Sequence, residues 1–228
     1  MSKRTVIGDV FNEMSSDYDS VMDRMVPHYR KLIMSIFEYL PETFKPGRIA
    51  DLGCGNGNPA ILASTVYPKA SMHLVDASEQ MLTLCRKRLA IDAYEYSHEM
   101  FQDLSLQPNS YDLVYACFSL HHLDGPEKQL FFREIFKALK SGGIFASADL
   151  FINKEEEFHK THLKQWREFF ESNGLSPDDW VWVMEHYNAY DKPSSFNDQQ
   201  RWLLEAGFSR VRLSWNVGQW GCFHAFKE

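Results

Sequence analysis

The chain has 228 residues, 44% of them hydrophobic and 14% aromatic, which is enough to build a substantial core and excludes intrinsic disorder. Twenty-four Lys and Arg against 31 Asp and Glu give a net charge of −7 with no basic run, so nucleic acid and anionic membranes are poor partners. The four scattered cysteines (Cys54, Cys85, Cys117, Cys222) contain no CxxC. They suit a reducing cytoplasm and disfavour a disulfide framework or a structural zinc site. Met1 to Val10 is too short and polar for a signal peptide, and no apolar stretch approaches the roughly 20 residues of a membrane span.

In chain order, Arg24 to Leu40 carries Leu32, Ile33, Ile36, Phe37 and Leu40 at helical spacing and reads as one amphipathic helix. Ile49–Leu52 reads as a strand, Ala60–Tyr67 as a helix, Met72–Val75 as a strand and Glu79–Leu89 as a helix. Tyr96–Phe101 is a weaker strand, Tyr111–Ala116 a buried one, Lys128–Leu139 a helix and Gly143–Leu150 a strand. This alternation implies an α/β, doubly wound, Rossmann-like parallel sheet with right-handed crossovers and helices on both faces. Such sheets bind ligands beyond the carboxyl ends of their strands.

The rhythm breaks after Leu150. Asn153–Glu171 reads as one charged helix stopped at Asn173-Gly174, and Ser176-Pro177-Asp178-Asp179 as a capped helix start. A helix over Asp198–Ala206 ends at Gly207, and strands over Arg210–Trp215 and Gly221–Phe226 close the chain. The expected organisation is a single domain over 1–228. It comprises an N-terminal helical lid (1–43), a sheet core (44–150 and 207–228) and a helical cap (151–206).

The most informative stretch is Ile49–Ala60, IADLGCGNGNPA. Asp51 ends a strand and Gly53, Gly55 and Gly57 follow on alternate positions, where the absence of a Cβ allows a sharp turn and close approach of a ligand. Asn58-Pro59 then reads as N-cap and first-turn proline of the next helix. The third glycine comes one place early for the dinucleotide GxGxxG, and the Gly-Lys-Ser/Thr of a phosphate loop is absent. The remaining pattern, DxGxGxG, suits the amino-acid end of S-adenosylmethionine. Asp76 ends the second strand roughly twenty residues on, where a carboxylate can accept hydrogen bonds from ribose hydroxyls; its blander role would be a helix N-cap. Asp103-Leu104, after the third strand, could meet the adenine, although an aspartate there is more often a turn residue.

With these motifs in hand (IADLGCGNG, HLVDASEQML, FQDLSL, YDLVYACFSLHHL and LKSGGIFASADL), the chain resembles the class I S-adenosylmethionine-dependent methyltransferases over nearly its whole length. The resemblance implies a seven-stranded sheet whose last strand is antiparallel. Val26-Pro27-His28-Tyr29 and the helical insertion resemble the carboxy-S-adenosylmethionine synthase branch and its small-molecule methyltransferase relatives. The cofactor residues this implies are Tyr29, Asp51, Gly53, Cys54, Gly55, Gly57, Asp76, Ala77, Met81, Asp103, Leu104 and Cys117. Two positions depart from the synthase pattern: Cys117 stands where it has asparagine, and Trp202 where it has the carboxylate-binding arginine, with Arg201 one residue off. Methyl transfer to O, N or S of a small acceptor is the preferred reading, carboxyl transfer or a non-catalytic cofactor-binding module the alternatives.

Methyl transfer from a sulfonium needs alignment more than covalent help. His121 and His122 are the candidates for a base or a substrate contact, or one of them simply packs the loop. Tyr18, Phe118, Asp149, Phe151 and Trp166 are the acceptor-side candidates. No metal set is read: His159 and His162 lack the HExxH pattern and suit a solvated helix face. The quartet after the fourth strand, Ala116-Cys117-Phe118-Ser119, lacks the Pro-Pro-aromatic signature of base amino-methyltransferases. The expected partner is a small-molecule acceptor, with neither nucleic acid nor membrane, and a homodimer is left open.

Overall fold

The computed structural model describes residues 18–91 and 93–228, with side chains from residue 21 onward. Two helices, α1 (Tyr18–Met25) and α2 (Tyr29–Glu38), precede β1 (Arg48–Leu52), α3 (Asn58–Val66), β2 (Ser71–Asp76), α4 (Glu79–Leu89) and β3 (Glu95–His98). Then come β4 (Tyr111–Cys117), a 3-10 turn over Leu120–His122, α5 (Gly125–Ala138) and β5 (Leu139–Leu150). The helices α6 (Phe158–Ser172), α7 (Pro177–Tyr190) and α8 (Phe196–Ala206) follow, and β6 (Arg210–Val217) and β7 (Trp220–Phe226) close the chain.

The seven strands form one sheet in the order β3-β2-β1-β4-β5-β7-β6. β7 runs antiparallel to both β5 and β6, as the resemblance implied, and the pairs among β1 to β5 are parallel. The order reverses between β1 and β4, which opens a crevice at their carboxyl ends.

Side-chain alternation splits the core into two layers. Ile49, Leu113, Tyr115 and Ile144 face α2 and α3, where Leu32 and Ile36 are fully buried. Ala50, Leu52, Val114 and Phe145 face α5 and α8. Burying each such leucine or isoleucine stabilises the fold by about 1.5–3 kcal/mol.

Local chemistry sets most boundaries. Ser78 caps α4, and Asp124 with Glu127 and Ser176 with Asp179 form capping boxes at α5 and α7. Gly207 ends α8 in the left-handed region. Three expectations are corrected. The single helix predicted over Arg24–Leu40 is broken at Val26-Pro27-His28, because Pro27 has no N–H to donate and His28 turns left-handed at φ 60°. Asn58 does not cap α3: Gly57 holds that position, and the Asn58 Nδ2 donates instead to the Tyr29 hydroxyl at 3.0 Å. The helix predicted from Asn153 starts five residues later, since Asn153 turns the chain by accepting from the Glu155 N–H.

The cap is fastened to the N-terminal helices rather than lying free. Trp166 Nε1 donates to the Met25 carbonyl at 2.7 Å, and Arg24 donates to the carbonyls of Asn173 and Gly174. Among the described residues no helix is long and apolar enough to cross a membrane.

Candidate active site

The glycine loop leaves β1 and turns beneath the β4 exit. Each glycine answers a different constraint. A Cβ on Gly53 would lie 2.4 Å from the Ser119 Cβ, and one on Gly57 would lie 2.8 Å from the Cys85 sulfur. Only at Gly55 (φ +53°) would an added Cβ meet open space. Two of the glycines therefore make room for protein, and Gly55 makes the approach available to a ligand. Asp76 holds the loop in this shape: its Oδ2 accepts from the Gly55 N–H at 2.7 Å and its Oδ1 from the Ser78 N–H at 2.8 Å. Burial raises its pKa, opposed by these backbone donors.

The enclosed part of the crevice is lined by Tyr29, Gly53, Cys54, Gly55, Met81 and Cys117 from the predicted set, with Asn56, Asn58, Pro59, Phe118, Ser119 and His122. Behind it, Asp51 is fully buried; its Oδ2 accepts from the Tyr115 hydroxyl at 2.9 Å. Burial, opposed by that bond, pushes Asp51 up to about 8, so it is a neutral acid at pH 7. Cys117 is likewise pushed well up by burial, which keeps it a thiol and removes it as a nucleophile.

A second cavity of about 100 Å³ lies beside the first, under the cap. Its walls come from α1 (Met22, Met25), the β4 exit (Phe118, His121), the end of β5 (Asp149, Leu150), the cap (Trp166, Trp182, Val183, His186, Tyr187) and Trp220. Asp191, in the segment after α7, completes it. Phe118 lines both spaces, with left-handed backbone (φ 52°) and its ring between Tyr29 (5.3 Å) and Trp220 (6.2 Å). Such a φ costs a non-glycine residue about 1–2 kcal/mol, and here it turns the ring into the partition.

One wall of this apolar cavity is charged. His121 Nδ1 lies 2.6 Å from Asp149 Oδ1, and Asp149 Oδ2 accepts from the His121 N–H. Burial works against an imidazolium, but the charges of Asp149 and Asp191 and the Asp149 hydrogen bond together raise His121 to about 9. His122, buried and beside His121, is pushed down to about 4. Burial alone would raise Asp191, yet the surrounding imidazoles carry it well below the carboxylate range. The segment bearing Asp191 is clamped to the histidine loop. The Lys192 N–H donates to the His121 carbonyl at 2.6 Å, and buried Lys128 Nζ binds the carbonyls of Leu123 and Lys192 and the Ser194 hydroxyl.

Residues 49–143 match the family model described as a methyltransferase domain. Carboxy-S-adenosyl-L-methionine synthase of Campylobacter concisus is 23% identical over 94% of this chain and 92% of its own. That of Trichodesmium erythraeum is 24% identical over 95% and 87%. Among solved structures, a SAM-dependent methyltransferase from Thermotoga maritima superposes with a TM-score of 0.66 at 17% identity, over 97% of this chain and 100% of that one. Human N-acetylserotonin methyltransferase in complex with SAM gives 0.65 at 14% identity, over 98% of this chain and 58% of that one. A Nostoc punctiforme chain gives 0.68 at 19%, over 96% of this chain and 60% of that one. Residues 49–143 thus carry a methyltransferase domain, on the fold of the class I S-adenosylmethionine-dependent enzymes. Its cofactor is S-adenosylmethionine.

The methyltransferase's own residues fit that group. Gly55 presents open space, and Asp76, outside the residues that line the enclosed crevice, shapes the loop through its two backbone bonds. Not every predicted contact lines the enclosed crevice. Asp51 is a strut beneath the loop, Gly57 packs on Cys85, and the Ala77 carbonyl pairs with His98 Nε2 at 3.0 Å. Asp103 is exposed on the turn after β3, and Leu104 leans on the α5 layer.

On the acceptor side, Phe118, Asp149 and Trp166 do meet in the cavity. Phe151 does not: alternation past Leu150 turns it to the other sheet face, against Phe196 and Phe223. Tyr18 begins α1, and its side chain lies outside the described residues. His159 binds the Tyr187 hydroxyl at 2.9 Å, and His162 is buried against Trp166 and Trp220, so the latter is core rather than a solvated face. Sequence reasoning missed Asp191, a lone acid before Lys-Pro-Ser-Ser with no local signal of its place.

Proposed function

We propose that this enzyme transfers a methyl group to a heteroatom of a small, largely apolar acceptor seated under the cap. The observation that carries the reading is the shared Phe118 wall: one side chain separates the cofactor crevice from an apolar, aromatic-walled cavity, so two ligands can meet across it. S-adenosylmethionine, when bound, supplies a methyl group on a cationic sulfur whose C–S electron pair returns to sulfur as the new bond forms. The protein's part is alignment and exclusion of water. Trp166, Trp182 and Trp220 line the cavity, and the tilted rings of Tyr29 and Phe118 pack together at its boundary with the crevice. Of the two histidines, His121 with Asp149 orients the loop, and His122, neutral at pH 7, lines the crevice. A net charge of −7 supports a small molecule over nucleic acid as acceptor.

The names of the curated relatives favour a second reading, synthesis of a carboxylated cofactor. Against it stands the lack of cations: no Arg or Lys is among the described residues lining the cavity. Trp202 packs against Gly125, and Arg201 points outward to Asp198. Incubation with S-adenosylmethionine and prephenate, followed by mass spectrometry, separates the two. A cofactor carrying an added carboxylate establishes the second reading and overturns the first. Calorimetric titration with S-adenosylhomocysteine, then a panel of hydroxyl, amine and thiol acceptors with labelled methyl donor, tests the first. Labelled product is expected from a compact aromatic or aliphatic acceptor, and cofactor binding with no transfer to any panel member counts against it.

A further inference from the structure

We propose that His121, His122 and Asp191 bind one divalent first-row transition-metal ion at the junction of crevice and cavity, where it would take the methyl acceptor through an oxygen. The acceptor half of this proposal rests on the methyltransferase reading; the metal half does not.

The donor atoms of these three residues all lie within 4.8 Å of one another. The closest pair stands at the separation of two ligands of one ion, and the others are wider. Asp191 Oδ1 is 3.3 Å from His122 Nδ1 and 3.8 Å from His121 Nε2, and His186 Nε2 approaches the same oxygen at 3.5 Å. Hydrogen bonds between nitrogen and oxygen centre near 2.9–3.0 Å. Donors each about 2.1 Å from a common ion are separated by roughly 3.0–3.4 Å in octahedral or tetrahedral arrangements. The oxygen is buried, and its nearest donors, the His122 and His186 imidazoles, stand farther off than in an ordinary hydrogen bond. A carboxylate oxygen taken out of water without such a bond is costly unless a cation sits close by.

A second observation is independent of these spacings. The His121 ring is held from behind by Asp149 at 2.6 Å through Nδ1, which leaves Nε2 directed at Asp191. A carboxylate on the far nitrogen is the outer partner that metal-ligating histidines usually have, fixing tautomer and orientation. The cage is also rigid. Lys192 N–H to the His121 carbonyl and the three Lys128 bonds tie the Asp191 segment to the histidine loop, so donors far apart in sequence are held together without an ion. Lys128 spends its charge on carbonyls and a hydroxyl, leaving two carboxylates, Asp149 and Asp191, to be balanced at the imidazoles.

Two imidazoles and one carboxylate suit Fe, Zn or Mn better than Mg or Ca, and three protein ligands leave coordination positions open. Those positions border the cavity, because His121 and Asp191 line it while His122 lines the crevice. An acceptor with a hydroxyl or enol oxygen beside a second oxygen would fit them, since chelation orients that oxygen and favours its anionic form.

The test uses the full-length protein stripped with a chelator and titrated separately with Zn2+, Mn2+, Fe2+ under anaerobic conditions, and Co2+. One equivalent bound by elemental analysis after desalting is expected for at least one of these ions. Asp191→Asn and His122→Ala should lose it, Asp149→Asn should weaken it about 10–100-fold, and His159→Ala should leave it unchanged. S-adenosylhomocysteine binding by Asp191→Asn checks that this variant is folded. If none of the four ions is retained by the wild type, or if retention is equal in Asp191→Asn and His159→Ala, the site is refuted. Should Asp191→Asn not fold, the visible d–d bands of Co2+ in the wild type decide: a spectrum with nitrogen and oxygen ligation supports the site, and that of the aquo ion refutes it. Added catechol should shift those bands. Unchanged bands would remove the acceptor half and leave the metal half. Metal uptake without any S-adenosylhomocysteine binding would instead sink the methyltransferase reading alone.

Discussion

The glycine-loop crevice and the cavity under the cap share a wall but are built on different principles. The crevice is made largely of backbone: a glycine loop, two strand ends and the N–H groups that Asp76 holds in place. The cavity is made of side chains from α1, the β4 exit, the cap, β5 and β7, elements whose positions depend on one another. A site made of backbone can be specified by a short run of sequence and suits an invariant ligand. A site made of distant side chains can be re-cut by substitution without disturbing the sheet, which suits an acceptor that differs between relatives.

The sharpest break in this contrast comes from the cap. Trp166→Ala removes the bond to the Met25 carbonyl and the edge contacts with Trp180, Tyr187 and Trp220. We expect a loss of about 3–5 kcal/mol in urea unfolding. The variant still folded should bind S-adenosylhomocysteine normally; a parallel loss of cofactor affinity would mean the two regions are one unit. Asp76→Ala should do the reverse. Cofactor affinity should fall about 100-fold by calorimetry, since charge-assisted bonds are lost at two places, while acceptor-side packing stays intact. Affinity within about 3-fold of wild type would remove Asp76 from the cofactor site.

Acid should act through the core. His224 is buried with Nε2 donating to the Ile36 carbonyl and Nδ1 facing the Ser214 hydroxyl, with Arg212 beside it; burial pushes it down to about 4. His162, buried among tryptophans with His159 nearby, is also pushed down to about 4. In both cases the unfolded chain takes up a proton first as pH falls. Stability is therefore full above about pH 6.5, declines as pH drops, and levels off below about 4, by up to about 3 kcal/mol for each group. Urea midpoints measured from pH 7.5 to 4 should show that decline, and His224→Gln should flatten part of it; a wild-type curve that stays level contradicts it. The smallest effect is expected at the partition. Phe118→Ala should weaken cofactor and acceptor binding together by about 3–10-fold each, equivalent to roughly 1 kcal/mol. A change confined to one ligand would show that the ring belongs to that site alone.

The loop motif shows how far sequence reading went. DxGxGxG named the cofactor, and Gly53, Cys54, Gly55, Met81, Cys117 and Tyr29 do line the crevice. What it assigned to the ligand was in part the protein's own need: Gly53 and Gly57 clear Ser119 and Cys85. Asp51 matched the motif yet lies sealed beneath the loop against Tyr115, because a strand residue's side is set by alternation in the sheet and by what covers that face.

By itself the sequence determined the strand–helix order, most helix starts through their caps, and the cofactor. All of these follow from signals carried within a few residues or a single βα unit. Only the tertiary structure decided that Pro27 splits the entry helix to let the cap dock, that Phe151 faces away from the site, and that Asp191 meets His121, His122 and His186. Those contacts join residues far apart along the chain through buried polar bonds such as Lys128 to the Lys192 carbonyl. Their partners are chosen by packing, which leaves no trace in local spacing.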